Sequence, residues 1–400
     1  MARRSLERIA VLLLLLPTLP VETSGRDSSS RRIVSVVGIS GRPAYTLPTN
    51  RYFRGIGAEE KPVGATFSGH LTYGFRFSPE TVYGKLYPNA VQGIGVGFNT
   101  FFNPSEIGNP LAVYMFQISR IASPAKRLFL DYEWNFGISS LWKKYDPETN
   151  PDNVVVGSKI NAYIYLGLLL NWKLDSNLNL KAGVGVSHFS NGNTSYPNAG
   201  VNTAGGSLGL AWDFGGGRFG RNEGKAVSFS PYVNYDLVFY GATRKKGFLW
   251  ENGTAIVVPG SFGIAGMNFS PMYNFSKYLR AGLSLDAQFD ESANIVDHIA
   301  NTDVPASDVK FHRPPFREQF AVGVSARAEI VMPVFSINVG VGRNILCMGS
   351  DTDSFYQVFV LKTNVTRNLF IHIGYQLFKF KNPNNLMLGL GWRFNARGHR

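Results

Sequence analysis

From Thr66 to Phe394 the chain alternates apolar and polar residues in segment after segment, each about one strand long. Successive side chains of a strand point to opposite faces, so each such segment has one apolar face and one mixed face. Ile160, Ala162, Ile164, Leu166, Leu168, Leu170 and Trp172 share a face, as do Leu279, Ala281, Leu283, Leu285, Ala287 and Phe289. Phe320, Val322, Val324, Ala326, Ala328 and Ile330 form a third such face, and Leu386, Leu388, Leu390, Trp392 and Phe394 a fourth. The alternate positions carry Gly, Ser, Asn, Lys and Tyr. These strands are too many and too long for one soluble sandwich. The pattern predicts an all-β, antiparallel, up-and-down transmembrane barrel with lipid outside and polar residues inside.

Composition supports that expectation. The chain has 43 Gly, 30 Phe and 18 Tyr but only 17% charged residues, against ~25% in ordinary soluble domains. No apolar run of about 18 residues follows the N-terminus, which excludes ordinary transmembrane helices. Cys347 is the only cysteine, so no intrachain disulfide can form. The net charge of +13 implies an anionic partner, the plainer alternative being a solvated basic surface.

The N-terminus reads as a secretory signal over residues 1–24. Arg3, Arg4 and Arg8 precede the short apolar run Ile9–Leu16. Export makes nucleic acid an improbable partner and favours phosphorylated lipid at a membrane surface. Residues 25–43 are expected to be an N-terminal periplasmic segment, 44–394 the barrel, and 395–400 a tail. Fifteen candidate strands run from Thr66–Phe77 to Leu386–Phe394, Ala255–Phe269 among them. One more within Ile33–Arg54 would give sixteen, and bacterial barrels close with even numbers, so about 14–16 strands are expected. Short connections at Lys173–Ser176, Pro271–Ser276 and Val331–Pro333 predict periplasmic turns. Long ones at Lys143–Gly157, Asn191–Val201, Gly241–Thr254 and Asp290–Pro315 predict extracellular loops. Gly215–Lys225 breaks this scheme, because it is a long Gly-rich segment where a turn is due. Trp172, Trp212, Phe214, Trp392 and Phe394 fall at the periplasmic ends, as an aromatic girdle would.

One strand carries chemistry on its lipid-facing side. In Leu178–Ser190, the residues Leu178, Leu180, Ala182, Val184, Val186, His188 and Ser190 share a face. Asn202 opens the next strand on the same face and near the same, extracellular end. Serine is a weak nucleophile until a base takes its proton, and a neutral histidine does so if a third group holds its ring. Residues i and i+2 of a strand lie about 6.5–7 Å apart, near enough for the two side chains to lean together. No Asp or Glu occurs between Asp175 and Asp213, which leaves the Asn202 amide to orient His188. The backbone N–H groups of Asn191 and Gly192, and the Asn191 side chain, are the nearest donors for an oxyanion. A bare His-x-Ser is ordinarily two polar residues at a strand end. Polar groups on a lipid-facing stripe are costly, however, and Asn202 on that stripe narrows the choice.

The segment His188-Phe189-Ser190-Asn191-Gly192, continuing to Pro197-Asn198-x-Gly200-x-Asn202, resembles the PagL-type lipid A 3-O-deacylase family, particularly its longer acyloxyacyl hydrolase branch. Asn150-Pro151-x-Asn153 and Gly157-Ser158-Lys159-Ile160-Asn161 resemble that branch too, so the resemblance spans roughly Gly69–Phe214. It implies an outer-membrane ester hydrolase acting on lipid A of lipopolysaccharide in the outer leaflet, without cofactor or metal. His188 would be the base, Ser190 the nucleophile, and Asn191 with Gly192 the oxyanion hole. The short PagL enzymes carry Glu where this chain has Asn202, and have eight strands. Outer-membrane phospholipase A is similar in His-x-Ser-Asn-Gly and in an Asn at the spacing of Asn202. It would imply calcium and dimerisation, and its Ser-Arg-Ser-x-Asn-Arg run is missing at Asn198–Thr203. A non-enzymatic barrel or porin is the remaining alternative. A homodimer is compatible with any of these.

Overall fold

The computed structural model describes residues 33–50, 52–55, 62–215, 229–249, 255–301, 308–379 and 382–395. The expected signal, residues 25–32 of the segment expected before the barrel, and residues 396–400 of the tail lie outside them.

Strands β1 (Ile33–Thr46), β2 (Ala65–Phe77), β3 (Val91–Thr100), β4 (Gly108–Ala122), β5 (Leu128–Trp142), β6 (Asn161–Lys173), β7 (Leu178–Ser190) and β8 (Val201–Asp213) pair antiparallel in chain order. Pairing of β1 with β8, from Val36 opposite Asp213 to Thr46 opposite Thr203, closes the ring. A second ring is built from β9 (Tyr232–Arg244), β12 (Phe262–Asn274), β13 (Leu279–Asp290), β14 (Phe320–Val331), β15 (Phe335–Leu346), β16 (Phe355–Asn364), β17 (Leu369–Phe378) and β18 (Asn382–Phe394). It closes by pairing β18 with β9. A small hairpin, β10 (Gly247–Leu249) and β11 (Ala255–Val257), stands outside both rings.

The expected fold class and strand range hold, but two expectations are corrected. The strands close as two eight-stranded barrels rather than one ring over 44–394. Ile33–Pro43 is not a periplasmic segment; it is most of β1, hydrogen-bonded to β2 and β8. The misplaced Gly-rich stretch also gains a reason. Asp213 ends β8 beside Asn177, at the turn end of its barrel, and Tyr232 opens β9 beside Asn274, at the turn end of the other. The chain between them therefore links two rings.

Eight strands leave room inside for side chains but not for a channel. In the first barrel Arg42 pairs with Glu133 at 2.7 Å and lies over the Tyr165 ring, and His70 Nδ1 lies 2.9 Å from the Tyr114 hydroxyl. Tyr163 stacks on Phe189, and Phe101 and Trp142 meet Phe189 edge to face, which makes an aromatic plug. The cavity at Arg42, Tyr165 and Gly206 measures about 20 Å³, enough for a water. In the second barrel the Lys362 ammonium donates to Asp236 at 2.9 Å and Glu329 at 2.8 Å. Arg393 donates to Asp236 at 2.8 Å, and Arg280 pairs with Glu329. Asp286 accepts from Asn268, Ser284, Ser325, Arg327 and Tyr356. Buried charge is tolerable where every ion has partners of opposite sign. These filled interiors fit poorly with a passive pore.

The outer faces remain apolar and exposed, except along one seam. There Trp134 of β5 meets Phe335 of β15 edge to face, ring centroids 5.2 Å apart, with Met332 and Leu361 packed beside them. Trp134 is 3% exposed, whereas Leu166, on the next strand's outer face, is 53% exposed. At the turn end, Tyr278 donates to the Leu86 carbonyl at 2.7 Å and Tyr87 to the Lys277 carbonyl at 3.1 Å.

Two outcomes follow. Glu329→Leu leaves Arg280 and Lys362 short of a counter-ion, and should destabilise the protein by about 3–5 kcal/mol in urea titrations monitored by heat-modifiable gel mobility. A double-mutant cycle of Trp134→Ala and Phe335→Ala should show a coupling of about 0.5–1.5 kcal/mol in the same assay.

Candidate active site

β7 runs outward-facing residues Val184, Val186, His188 and Ser190 up to the loop end of the first barrel. Phe189, one residue out of phase, is buried in the aromatic plug. Pairing places Ile164 of β6 and Asn202 of β8 on either side of His188. Val184 is 64% exposed and Leu208 is 59% exposed, so an open hydrocarbon stripe leads up to the histidine.

The three residues singled out in the sequence meet in one line. His188 Nδ1 lies 2.7 Å from Asn202 Oδ1, and His188 Nε2 lies 3.0 Å from Ser190 Oγ. An amide oxygen can only accept, so Nδ1 carries the ring proton and Nε2 is left to accept from the serine hydroxyl. The Asn202 carbonyl in turn accepts from Leu47 N–H at 2.8 Å, which ties the orienting residue to the chain following β1.

The loop of residues 191–200 is built to hold this arrangement. Asn191 N–H donates to Asn198 Oδ1 at 3.0 Å, and Asn198 Nδ2 donates to Asn193 Oδ1 at 3.1 Å. The first of these overturns one expectation: Asn191 N–H is already engaged within the loop. Asn191 Nδ2 is buried and makes no hydrogen bond among the described residues. Gly192 and Gly200 both take left-handed backbone, with φ of +63° and +73°. At Gly200 a Cβ would come within 3.1 Å of His188 Cε1, so glycine lets the loop close over the imidazole. Gly200 N–H donates to the Val155 carbonyl at 3.3 Å. Buried Asn153 fixes that second loop by donating to the carbonyls of Glu106 and Lys143 and accepting from Val155 and Val156 N–H. Asn150 Nδ2 donates to the Glu106 and Lys144 carbonyls, so Asn150 and Asn153 are both scaffold for that second loop.

Two features had no local signal in the sequence. A Cβ on Gly192 would lie 2.5 Å from Leu386 of β18, so the second barrel packs directly on the loop that follows the serine. Asn193 Nδ2 donates to the Asn384 carbonyl, a contact 191 residues away in sequence. Of the cationic run 244–246, Arg244 is buried against Asp290 at 2.8 Å and Lys246 pairs with Asp351 at 2.6 Å. Burial alone would raise the Asp351 carboxyl, but the Lys246 ammonium, the Asn294 N–H and Arg244 together hold the group below its ordinary range. Lys245 is exposed.

Two family profiles match the chain. Residues 71–211 match "Lipid A 3-O-deacylase (PagL)", and residues 233–396 match "Acyloxyacyl hydrolase, C-terminal domain". Each covers most of one barrel. No curated protein matches. Among solved structures, Neisserial surface protein A is 10% identical, with 45% of this chain and 96% of that one covered, at a TM-score of 0.28. The siderophore receptor PirA from Pseudomonas aeruginosa is 8% identical, with 92% and 81% covered, at 0.24. A mutant of Rh. blastica porin is 9% identical, with 90% and 100% covered, at 0.16. The barrel architecture itself rests on the strand pairing. With both barrels matched, the chain belongs to the PagL lipid A 3-O-deacylase family, in its form with an acyloxyacyl hydrolase C-terminal domain, and is an outer-membrane ester hydrolase.

Proposed function

We propose that the protein releases an ester-linked acyl chain, the 3-O chain, from lipid A in the outer leaflet, with His188, Ser190 and Asn202 as the catalytic residues. The observation that carries this reading is the continuous relay from Asn202 Oδ1 through the His188 ring to Ser190 Oγ on an outward, apolar face. A water-soluble ester has no reason to approach there. A lipid already lying against Val184, Val186, Leu166 and Leu208 reaches Ser190 sideways, with its acyl chain in hydrocarbon and its sugar at the loop end.

In the first step Ser190 Oγ attacks the ester carbonyl carbon while His188 Nε2 takes the hydroxyl proton. The imidazolium then gives that proton to the departing sugar oxygen, which leaves an acyl group on Ser190. A water activated by His188 attacks the acyl-enzyme, frees the fatty acid and restores the serine. Asn202 keeps Nδ1 protonated and the ring aimed. It supplies no negative charge to the imidazolium, so it contributes less than a carboxylate would. For the oxyanion we assign Gly192 N–H and Asn191 Nδ2, because Asn191 N–H is engaged by Asn198. These steps need no metal ion or cofactor.

Ser190→Ala should lower lipid A hydrolysis by about 10³-fold or more, with unchanged heat-modifiable mobility. Asn202→Ala should lower it by less, and mass spectrometry of the lipid A product reads both. Full hydrolysis by Ser190→Ala would sink the assignment. Activity should persist in EDTA. Loss of activity there, with release of phospholipid acyl chains on adding calcium, would instead favour the phospholipase resemblance. Gly192→Ala, strained by its positive φ and crowded by Leu386, should lower activity at least tenfold while both barrels stay folded. The further substitution Leu386→Ala should restore part of the loss by making room.

A further inference from the structure

A cleft of about 510 Å³ opens at the loop end, beside the loop that follows Ser190. The first barrel contributes one wall, with Asn193, Tyr196 and Asn198, and the rim of the second barrel contributes the other, including Lys245, Lys379 and Asn384. The two walls are hydrogen-bonded to each other: Lys245 N–H donates to the Asn193 carbonyl at 3.3 Å, and Asn193 Nδ2 donates to the Asn384 carbonyl at 3.4 Å. Asn198, which lines the cleft, is also the residue that holds Asn191 N–H next to the nucleophile. The cleft is thus continuous with the catalytic loop.

Its charge is unbalanced. The ionisable acids and bases lining it are Arg244, Lys245, Lys246 and Lys379 against Asp290 and Asp351. Arg244 is matched by Asp290 and Lys246 by Asp351. Lys245 and Lys379 are exposed and, among the described residues, have no carboxylate partner. Two ammonium groups without a carboxylate partner among the described residues, lining a cleft beside the loop that follows Ser190, attract an anion. Much of the remaining lining is amide and hydroxyl: Asn198, Gln288, Asn344, Gln376 and Asn384 among others. Such groups match the hydroxyls and amides of a sugar better than a bare phosphodiester.

We propose that this cleft binds the phosphorylated sugar headgroup of the substrate, with Lys245 and Lys379 of the second barrel as its phosphate ligands. The proposal rests on the Ser190 reading for its substrate. It makes the second barrel the specificity-determining half of the binding site, while the first barrel carries the chemistry. The scissile ester then sits where the two halves meet, at the loop of residues 191–200.

The test measures equilibrium binding of bisphosphorylated lipid A, and of the same lipid A after enzymatic dephosphorylation, to the full-length Ser190→Ala protein in detergent micelles. The same pair is then measured on Ser190→Ala carrying Lys245→Gln and Lys379→Gln. The phosphorylated lipid should bind at least tenfold tighter than the dephosphorylated one, and the two lysine substitutions should erase most of that preference. Equal affinity for both lipids, or a preference untouched by the substitutions, overturns the proposal. Unchanged heat-modifiable mobility confirms that the variants are folded. Because the readout is binding, it stands apart from catalysis: hydrolysis by Ser190→Ala would overturn the nucleophile assignment, and the lipid preference would still decide the cleft.

Discussion

Within a bilayer an unpaired backbone N–H or C=O has no water to turn to, so every strand that enters must be hydrogen-bonded on both edges. This chain meets that demand twice. β1 bonds β8 through residues 36–46 and 203–213, and β18 bonds β9 through residues 388–394 and 235–241. Much else follows from closing at eight. An eight-stranded ring is narrow enough to be filled by side chains, so the polar alternate positions of each strand become salt-bridged plugs instead of a channel lining. With both interiors occupied, the hydrogen-bonded His188 and Ser190 sit on the outer face, where the proposed chemistry would meet a lipid.

Alternation revealed the strands because lipid on one side and side chains on the other impose a period of two with little room for exceptions. Fourteen of the fifteen candidate segments from Thr66 onward correspond to barrel strands with modest shifts at the ends. The candidate Ala255–Phe269 was divided by the structure into β11 and the first part of β12. Partition into two rings was not legible in the same way. A strand's outer face looks the same whether its ring closes after eight strands or after sixteen, since both neighbours are antiparallel strands. The one available signal was the Gly-rich segment Gly215–Lys225, which fits no turn in a single barrel. Its proper reading as a link between rings depends on knowing that β8 pairs back to β1. That pairing also claims Ile33–Pro43, whose alternation is diluted by Gly38, Gly41 and Pro43.

The proposed catalytic residues were legible for a different reason: His188, Ser190 and Asn202 all lie within one hairpin, where register follows directly from sequence. Once His188 and Asn202 are placed on the outward face of neighbouring strands, their pairing is nearly dictated, and they are cross-strand partners. The oxyanion donors were less accessible. Whether Asn191 N–H is available depends on Asn198, and thus on how a ten-residue loop folds back on itself. Contacts from the second barrel were beyond reach altogether, because nothing local distinguishes Leu386 or Asn384 from the other residues of β18.

That last point bears on why a deacylase would keep a second barrel. On the reading proposed above, the first ring alone contains the nucleophile, the base, the orienting amide and an apolar approach for an acyl chain. Its own contacts hold the loop of residues 191–200 through Asn198 and Val155, and the second ring adds support where the segment after the serine turns through left-handed backbone at Gly192 and Asn193. Loops at membrane rims are mobile unless packed, and an oxyanion donor that wanders by an ångström loses much of its effect. Leu386 against Gly192, and Asn384 and Lys245 against Asn193, supply that packing from strands whose own positions are fixed by ring closure and by the Trp134–Phe335 seam. The same strands bring Lys245 and Lys379 to the rim. Bracing the catalytic loop and presenting charge to a headgroup are thus two consequences of setting one closed ring against another.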